Sequence, residues 1–155
     1  MPRARGGRLS VDSVRVEADS GRAADMSDRP SWDEWALALA AAVATRADCT
    51  RSQVGAVILS RTHRVLSVGY NGAPAGIPGC ASAGNCPRGR LDASACAPNS
   101  DYANCIAVHA EANAIYHAPA HELPGATLYV TREPCPACST LITAAGIHRT
   151  VFTNS

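Results

Sequence analysis

The pattern of hydrophobic and polar positions in the first half of the chain predicts one helix and a β-hairpin. Ser31 and Glu34 form an S-x-x-E capping box ahead of an alanine- and leucine-rich stretch, which predicts a helix over residues 32–46. Two short β-branched runs, at residues 54–59 and 65–70, flank a polar turn and predict a pair of antiparallel strands.

The second half of the chain alternates between helical and strand patterns. Residues 107–117 and 136–145 have the spacing of helices, the second closed by Gly146, and residues 127–131 and 150–152 predict strands. The resulting order, αββαβαβ, predicts a single sheet with helices packed on its faces. The last two strands are expected to run parallel, because a helix crosses over between them.

Two further segments show neither kind of periodicity. Residues 1–28 are rich in Arg, Gly, Ala, Ser and Asp and predict a disordered leader, which leaves residues 29–155 as one domain. Residues 71–104 contain five Gly, four Pro and three Cys. A loop of this length is typically functional or held together by something other than a hydrophobic core.

Charge and hydropathy exclude several classes of partner. All 14 basic residues are arginine, and 13 acidic residues leave a formal net charge of +1. This balance provides no broad positive surface for nucleic acid or for an anionic membrane. No apolar run reaches the roughly 20 residues of a membrane-spanning helix, and the N-terminal segment has no apolar stretch typical of a signal peptide. We therefore expect a cytoplasmic protein whose seven cysteines serve metal binding or catalysis rather than disulfide bonds.

The strongest chemical signal is a histidine motif followed by a cysteine motif. His109-Ala110-Glu111 lies near the start of one predicted helix, and Pro134-Cys135-Pro136-Ala137-Cys138 lies at the start of the next. Cys135 and Cys138 share one helix face, and the positive end of the helix dipole favours their thiolate forms. Two thiolates and one imidazole predict a three-ligand zinc site with a fourth position open for water.

Glu111 completes the predicted chemistry. Two thiolates largely cancel the charge of the zinc ion, so a water molecule bound there would benefit from a nearby base. Glu111 can take that proton and return it to a substrate and its leaving group. The alternative is a structural zinc site in which Glu111 is a solvated helix residue. The order of the two motifs, with a predicted strand ending just before the cysteines, favours the catalytic interpretation.

Residues 30–152 resemble the deoxycytidylate deaminase branch of the cytidine deaminase-like superfamily. The specific part of the resemblance is the two segments that contain the motifs, His109-Ala110-Glu111-Ala112-Asn113-Ala114-Ile115 and Thr131 to Cys138. It is supported by Pro30-Ser31-Trp32-Asp33-Glu34, Cys49-Thr50-Arg51, Val54-Gly55-Ala56-Val57 and Gly69-Tyr70-Asn71-Gly72-Ala73-Pro74. The resemblance implies an α/β fold, a cytidine deaminase-like three-layer α/β/α sandwich with a central mixed sheet. It also implies a catalytic zinc ion on His109, Cys135 and Cys138, with Glu111 as the proton shuttle.

Three residues are candidates for substrate contacts. In similar enzymes the Asn of the Tyr-Asn-Gly turn contacts the nucleotide, and here it is Asn71. In similar enzymes a basic residue ahead of the Val-Gly-Ala-Val strand can bind the 5′-phosphate, and in this sequence that residue is Arg51. The backbone N–H of Ala110, near a helix start, is a candidate donor to the base carbonyl. The alternatives are a turn-forming role for Asn71 and a solvated loop charge for Arg51.

The other cysteines form a second candidate site. Deoxycytidylate deaminases often carry a structural zinc ion, and its ligands in similar sequences correspond to Cys49, Cys80, Cys86 and Cys105, which leaves Cys96 over. A closed four-ligand site would stabilise the long irregular loop. The alternative is that these thiols are partly buried and act as small hydrophobic side chains.

The function implied is hydrolytic deamination of a cytosine nucleotide, with dCMP converted to dUMP and ammonia. Zinc-activated water would attack C4 of the base, while Glu111 moves protons to N3 and to the departing amine. The partner would be a free pyrimidine nucleotide, with nucleic acid disfavoured and no membrane involved. The small size of the domain and the exposed surfaces of such folds predict a homo-oligomer.

Two alternative functions stay open. The same chemistry could act on another cytosine nucleoside, on a nucleoside-antibiotic intermediate or on adenosine in tRNA, although the near-neutral charge disfavours tRNA. The protein could instead be a catalytically silent zinc module that binds a nucleotide or a partner, against which Glu111 counts. Two departures from the family bear on these alternatives. Glu133 precedes Pro134-Cys135, as in tRNA adenosine, guanine and riboflavin-pathway deaminases, and the sequence stops at Ser155, where many relatives continue.

Overall fold

The computed structural model describes residues 12–15, 29–82 and 105–153 of the chain. Each helix and strand predicted from the sequence is present, with ends within three residues of the expected ones. Two elements of the described residues were not predicted, a strand at Asp12–Arg15 and a 3-10 turn at Ala120–Glu122. In chain order the elements are β1 (Asp12–Arg15), α1 (Trp32–Ala44), β2 (Gly55–Leu59), β3 (Val65–Tyr70), α2 (Ala110–His117), β4 (Thr127–Val130), α3 (Pro136–Ala144) and β5 (Arg149–Phe152).

The strands form one mixed sheet in the order β1-β5-β4-β2-β3. Strands β4 and β5 are parallel, as the crossover through α3 predicts, and β2 is antiparallel to both β3 and β4. Strand β1 pairs in parallel with β5 at one edge. The sequence predicts a disordered leader over residues 1–28, and the structure differs from that prediction at these four residues. A strand can pair through its backbone groups alone, without a side-chain pattern that would reveal it.

Helices cover both faces of the sheet, which confirms the three-layer α/β/α arrangement. Helix α1 packs on one face through Ala36 and Ala40, against a cluster that includes Val57, Leu59, Tyr129 and Val151. Helices α2 and α3 lie on the other face, against a cluster that includes Ala56, Ile58, Leu128, Val130 and Phe152. In the described part of the chain, no helix has the length and apolarity required to cross a membrane.

Three features near β3 determine the position and the start of α2. A Cβ atom at Gly69 would collide with the backbone of Ala110 and Ala114, so glycine allows the helix to lie directly on the strand. The hydroxyl of Ser67 donates to the carbonyl of Ala114 at 2.6 Å. Before the helix, Val108 pairs with Gly72 in an isolated antiparallel bridge. This bridge keeps the chain extended, so the helix begins at Ala110 rather than at residue 107 as predicted.

Candidate active site

Three side chains that can bind a metal ion meet where two helices begin. His109 immediately precedes α2, Cys135 immediately precedes α3, and Cys138 lies in the first turn of α3. The Nδ1 atom of His109 lies 3.6 Å from the Cys135 sulfur and 3.3 Å from the Cys138 sulfur. All three ligand atoms lie within 4.8 Å of one another, and both cysteines are buried. The structure therefore brings together the trio that the two motifs predict.

The donor set of this trio fits a zinc ion. One imidazole nitrogen and two sulfur atoms are typical zinc ligands, and three protein ligands leave a coordination position for water. Burial raises the pKa of the Cys138 thiol, and negative charge on Glu111 and Cys135 raises it further. A divalent cation would offset both effects, since a coordinating thiol is deprotonated.

Glu111 lies beside the trio and is buried. It occupies the first turn of α2, is 5% exposed, and its carboxyl group hydrogen-bonds with the Cys138 thiol. Burial raises the pKa of Glu111, while the neighbouring His109 acts in the opposite direction. A carboxyl group with a raised pKa is suited to accept and donate a proton near neutral pH. Its burial is incompatible with the alternative of a solvated helix residue.

The two helices that supply the ligands begin without side-chain caps. Neither the His109 side chain nor the Cys135 side chain accepts a capping hydrogen bond from the backbone of its own helix. By contrast, Ser31 and Glu34 cap α1 reciprocally, with bonds of 3.2 and 2.7 Å. The first N–H groups of a helix have no acceptor within the helix. Ala110, the first residue of α2, therefore has its N–H at an uncapped helix start, as its predicted role requires.

Asn71 is buried, and both ends of its side-chain amide are engaged by the preceding loop. Its Oδ1 accepts from the backbone N–H of Val54 at 2.7 Å, and its Nδ2 donates to the carbonyl of Ser52 at 2.8 Å. These bonds give the Asn71 side chain a structural role, because it joins the end of β3 to the segment before β2. The left-handed backbone conformation of the turn-forming alternative is not present, since His63 is the only residue other than glycine with a positive φ in the described part of the chain. A substrate contact would use the remaining N–H of this amide.

Arg51 is exposed in the loop between α1 and β2, directly before Ser52. Another arginine lies close to this segment, because Nη1 of Arg132 donates to the Ser52 hydroxyl at 3.0 Å. Sequence reasoning missed Arg132, although it belongs to the segment from Thr131 to Cys138 that carries the resemblance. Its signal is a positive charge three residues before a metal ligand.

Sequence reasoning also missed two residues whose side chains form hydrogen bonds between chain segments that flank the site. Asn113, in α2, donates from Nδ2 to the carbonyl of Tyr70 at 2.8 Å. Thr131, just after β4, accepts on Oγ1 from the N–H of Gly55 at 3.1 Å. Both residues lie inside the motif segments, and a polar side chain next to a metal ligand was the available signal.

The second group of cysteines is partly within the described residues. Cys80 is buried, whereas Cys49 and Cys105 are half-buried. Among the described residues, the only group of three metal-ligating atoms within 4.8 Å of one another is that of His109, Cys135 and Cys138. The sulfur atoms of Cys49, Cys80 and Cys105 therefore do not all lie within this distance of one another. The predicted ligand Cys86 and the leftover Cys96 lie outside the described residues.

Asp48 connects the chain segments that carry two of these cysteines. Its carboxylate accepts from the N–H groups of Ala81 and Ser82 at 2.8 and 3.0 Å. A further hydrogen bond, from the Ser82 hydroxyl, contributes most to holding the pKa of Asp48 below its usual value, and the bonds from the backbone N–H groups act in the same direction. Cys49 and Cys80 are therefore adjacent in sequence to residues that are in direct contact.

Comparison with known proteins gives concordant matches in sequence. Residues 30–154 match a family model described as the cytidine and deoxycytidylate deaminase zinc-binding region. The chain is 55% identical over 129 residues to a deoxycytidylate deaminase of Mycobacterium phage D29, which covers 80% of this chain and 95% of that protein. It is 39% identical over 128 residues to a deoxycytidylate deaminase of Schizosaccharomyces pombe, covering 82% of this chain but 38% of that longer protein.

The fold also matches solved structures. The apo dCMP deaminase of the cyanophage S-TIM5 is 25% identical, with a TM-score of 0.60 over 83% of this chain and 87% of that chain. The same cyanophage enzyme in complex with dCMP and dUMP has a TM-score of 0.60 at 23% identity, covering 83% of this chain and 85% of that chain. These likenesses agree with the three-layer fold described above.

Proposed function

Because the chain belongs to the family of cytidine and deoxycytidylate deaminases, we propose that it hydrolyses dCMP to dUMP and ammonia. The observation that carries the proposal is the buried Glu111 carboxyl in contact with Cys138, beside a trio of zinc-type ligands. This arrangement combines a metal position with a proton shuttle, which hydrolysis of a ring amine requires. A catalytically silent zinc module would have no need for a buried carboxyl group here.

The reaction uses the chain's own residues in separate steps. When bound to His109, Cys135 and Cys138, a zinc ion supplies a water molecule with a lowered pKa. Glu111 would accept a proton from the attacking water and donate it to N3 as the C4–O bond forms. Glu111 then carries the proton of the new C4 hydroxyl to the amino group. The C4–N bond breaks, one water is consumed and one ammonia leaves.

We assign the substrate contacts to three residues. The N–H of Ala110 would donate to the base carbonyl, which the uncapped start of α2 supports. Arg51 would meet the 5′-phosphate from its exposed position in the loop before β2. Asn71 would contact the sugar through its remaining amide N–H, and it also positions Ser52, the neighbour of Arg51.

A second, structural zinc ion is also part of the proposal. Its ligands would be the four cysteines predicted for it, Cys49, Cys80, Cys86 and Cys105. The support is the contact of Asp48 with the N–H groups of Ala81 and Ser82, which brings the segments of Cys49 and Cys80 together. Metal binding would draw the sulfur atoms closer, because sulfur ligands surround zinc at about 2.3 Å.

The solution state is proposed as a homo-oligomer in the cytoplasm, with residues 29–155 as the deaminase domain. Apolar side chains on the edge strand β3, Val65 and Val68, are 45% exposed and support self-association. The reducing environment of the cytoplasm would keep the cysteine ligands from forming disulfide bonds. Light scattering on the purified chain, with and without residues 1–28, tests the assembly and the domain boundary.

The test of the reaction measures ammonia release and base conversion with dCMP, CMP, deoxycytidine, cytidine, cytosine and adenosine, together with zinc content of the same sample. We expect turnover of dCMP above the other compounds and about two zinc ions per chain. Turnover of an unphosphorylated substrate alone would contradict the nucleotide assignment. Bound zinc without turnover of any compound would contradict the deaminase assignment and favour the silent module or a specialised substrate.

A further inference from the structure

Arg132 is anchored beside the segment that leads from β4 to the metal-ligating helix. Its Nη1 donates to the hydroxyl of Ser52, which lies 80 positions earlier in the chain. The carbonyl of Ser52 accepts in turn from the buried amide of Asn71. The two segments are also joined by two hydrogen bonds: the N–H of Gly55 donates to the Thr131 hydroxyl, and the N–H of Thr131 donates to the Gly55 carbonyl. The guanidinium of Arg132 is therefore oriented by the fold, although the residue is exposed.

The positive charge of Arg132 is available to a ligand. Ser52 is a neutral acceptor, and a guanidinium has five N–H donors. In the parts of the chain that the structure describes, Arg132 forms no ion pair with a carboxylate. Arg51 directly precedes Ser52, so two arginines lie on these adjoining segments. A planar, oriented guanidinium that is not neutralised by a carboxylate suits recognition of a phosphate group.

The position of Arg132 along the chain fits one end of a nucleotide. Arg132 lies three positions before Cys135, and three extended residues span at most about 10 Å. In a cytosine nucleotide the reacting C4 atom and the 5′-phosphate lie at opposite ends, with the sugar between them. We propose that Arg132 binds the 5′-phosphate and determines the preference for nucleotides over nucleosides, an inference that rests on the proposed function.

The kinetic test compares dCMP with deoxycytidine in the full-length zinc-loaded protein. Arg132→Gln is expected to lower kcat/KM for dCMP about 10- to 100-fold, mainly through KM, because a charge-assisted hydrogen bond is lost. For deoxycytidine, which has no phosphate, kcat/KM should change by less than about twofold. Arg132→Lys should give an intermediate loss, because the lysine ammonium is a point charge and lacks the planar donor geometry of the guanidinium.

Two further variants separate binding from general disruption. Ser52→Ala removes the acceptor that orients Arg132 and should produce a smaller loss, of about two- to fivefold, again for dCMP alone. Arg64→Gln is the matched control, because Arg64 is an exposed arginine in the turn at the other end of β2. This variant should leave kcat/KM unchanged for both dCMP and deoxycytidine. Equal losses for dCMP and deoxycytidine in Arg132→Gln would overturn the proposal and assign Arg132 to the shape of the segment before Cys135.

Calorimetry with dUMP and deoxyuridine distinguishes this inference from the proposed reaction. Arg132→Gln should weaken dUMP binding about tenfold and leave deoxyuridine binding unchanged. If the wild-type protein binds dUMP through Arg132 but does not deaminate dCMP, the proposed function fails and the phosphate assignment stands. If the wild-type protein deaminates dCMP and Arg132→Gln matches it in both kinetics and dUMP binding, the phosphate assignment fails alone. Wild-type protein that neither deaminates dCMP nor binds dUMP would contradict both.

Discussion

The two groups of cysteines in this molecule differ in what holds them in place. Cys135 and Cys138 lie at the start of α3, so the helix backbone sets the distance between them. Cys49 and Cys80 lie on irregular segments that are joined through Asp48. A site on a helix start is formed by local hydrogen bonds, whereas a site on loops requires distant segments to close on one another.

This difference separates two uses of a metal ion. The ligand atoms of the trio lie within 4.8 Å of one another at two helix starts, so a metal there would mainly add chemistry. The sulfur atoms of Cys49, Cys80 and Cys105 are less closely spaced, so a metal there would add stability by closing a loop. Substitutions in the first group should therefore reduce activity more than stability, and substitutions in the second group should do the reverse.

The largest effect is expected for His109→Ala. This change removes one of three ligands, so the catalytic zinc should be lost and the rate of ammonia release should fall by more than about 10³-fold. The midpoint of thermal unfolding should move little. Zinc content, circular dichroism melting and the dCMP assay measure the three quantities. His148→Ala, at an exposed histidine before β5, is the control and should retain activity. Full activity in the His109→Ala protein would refute the trio as the catalytic centre.

Glu111→Gln should separate proton transfer from metal binding within the first group. The amide has nearly the same shape but cannot shuttle a proton, so kcat should fall about 10²- to 10⁴-fold. Zinc content should match that of the wild-type protein, because Glu111 is not assigned as a ligand. A rate equal to wild type at full zinc content would sink the assignment of Glu111.

Cys49→Ser combined with Cys105→Ser tests the second group. We expect one zinc fewer per chain and a fall in Tm of about 5 °C or more, because the loop loses its closure. The kcat of the protein that stays folded should remain within about threefold of wild type. Cys96→Ser, at the cysteine left over in the sequence, is the matched control. An unchanged Tm and zinc content in the double variant would show that these thiols are ordinary small side chains.

The smallest effect is expected on the opposite face of the sheet, where Asp33 joins α1 to the sheet. Its carboxylate accepts two bonds of 2.7 Å from Arg149 and one of 2.9 Å from the Tyr129 hydroxyl. Arg149 above all holds the pKa of Asp33 below its usual value of 3.8, although burial acts in the opposite direction. Asp33→Asn should lower the free energy of unfolding by about 1 kcal/mol at pH 7, without loss of zinc.

The pH dependence of that loss has a definite sign. A carboxyl group with a lowered pKa in the folded state stabilises the protein above its unfolded pKa, and this stabilisation disappears as pH falls through the folded pKa. The difference between wild type and Asp33→Asn should therefore be constant from pH 7 to about pH 5 and shrink below about pH 4. Denaturant unfolding across this range measures it. A difference that grows on acidification would contradict the assignment of Asp33 to the Arg149 pair.

Much of the fold and the central site could be predicted because their signals are local. The capping box of Ser31 and Glu34 marks the start of α1, and the β-branched run before the turn marks β2. The spacing of Cys135 and Cys138 on a helix start constrains their distance before any tertiary contact is known. The parallel pairing of β4 with β5 agrees with the helix predicted between them. The burial of Glu111 agrees with its place in the histidine motif.

By itself, the sequence determined which segments form helices and strands and which residue types could bind a metal, because hydrogen bonding within a turn depends on near neighbours. Only the tertiary structure decided that Nδ1 of His109 faces the sulfur atoms and that the Asn71 amide is used by the loop before β2. The contact of Arg132 with Ser52 and the pairing of residues 12–15 with β5 also arise there. These contacts join positions far apart in the chain, and their formation depends on how the helices and strands pack against one another.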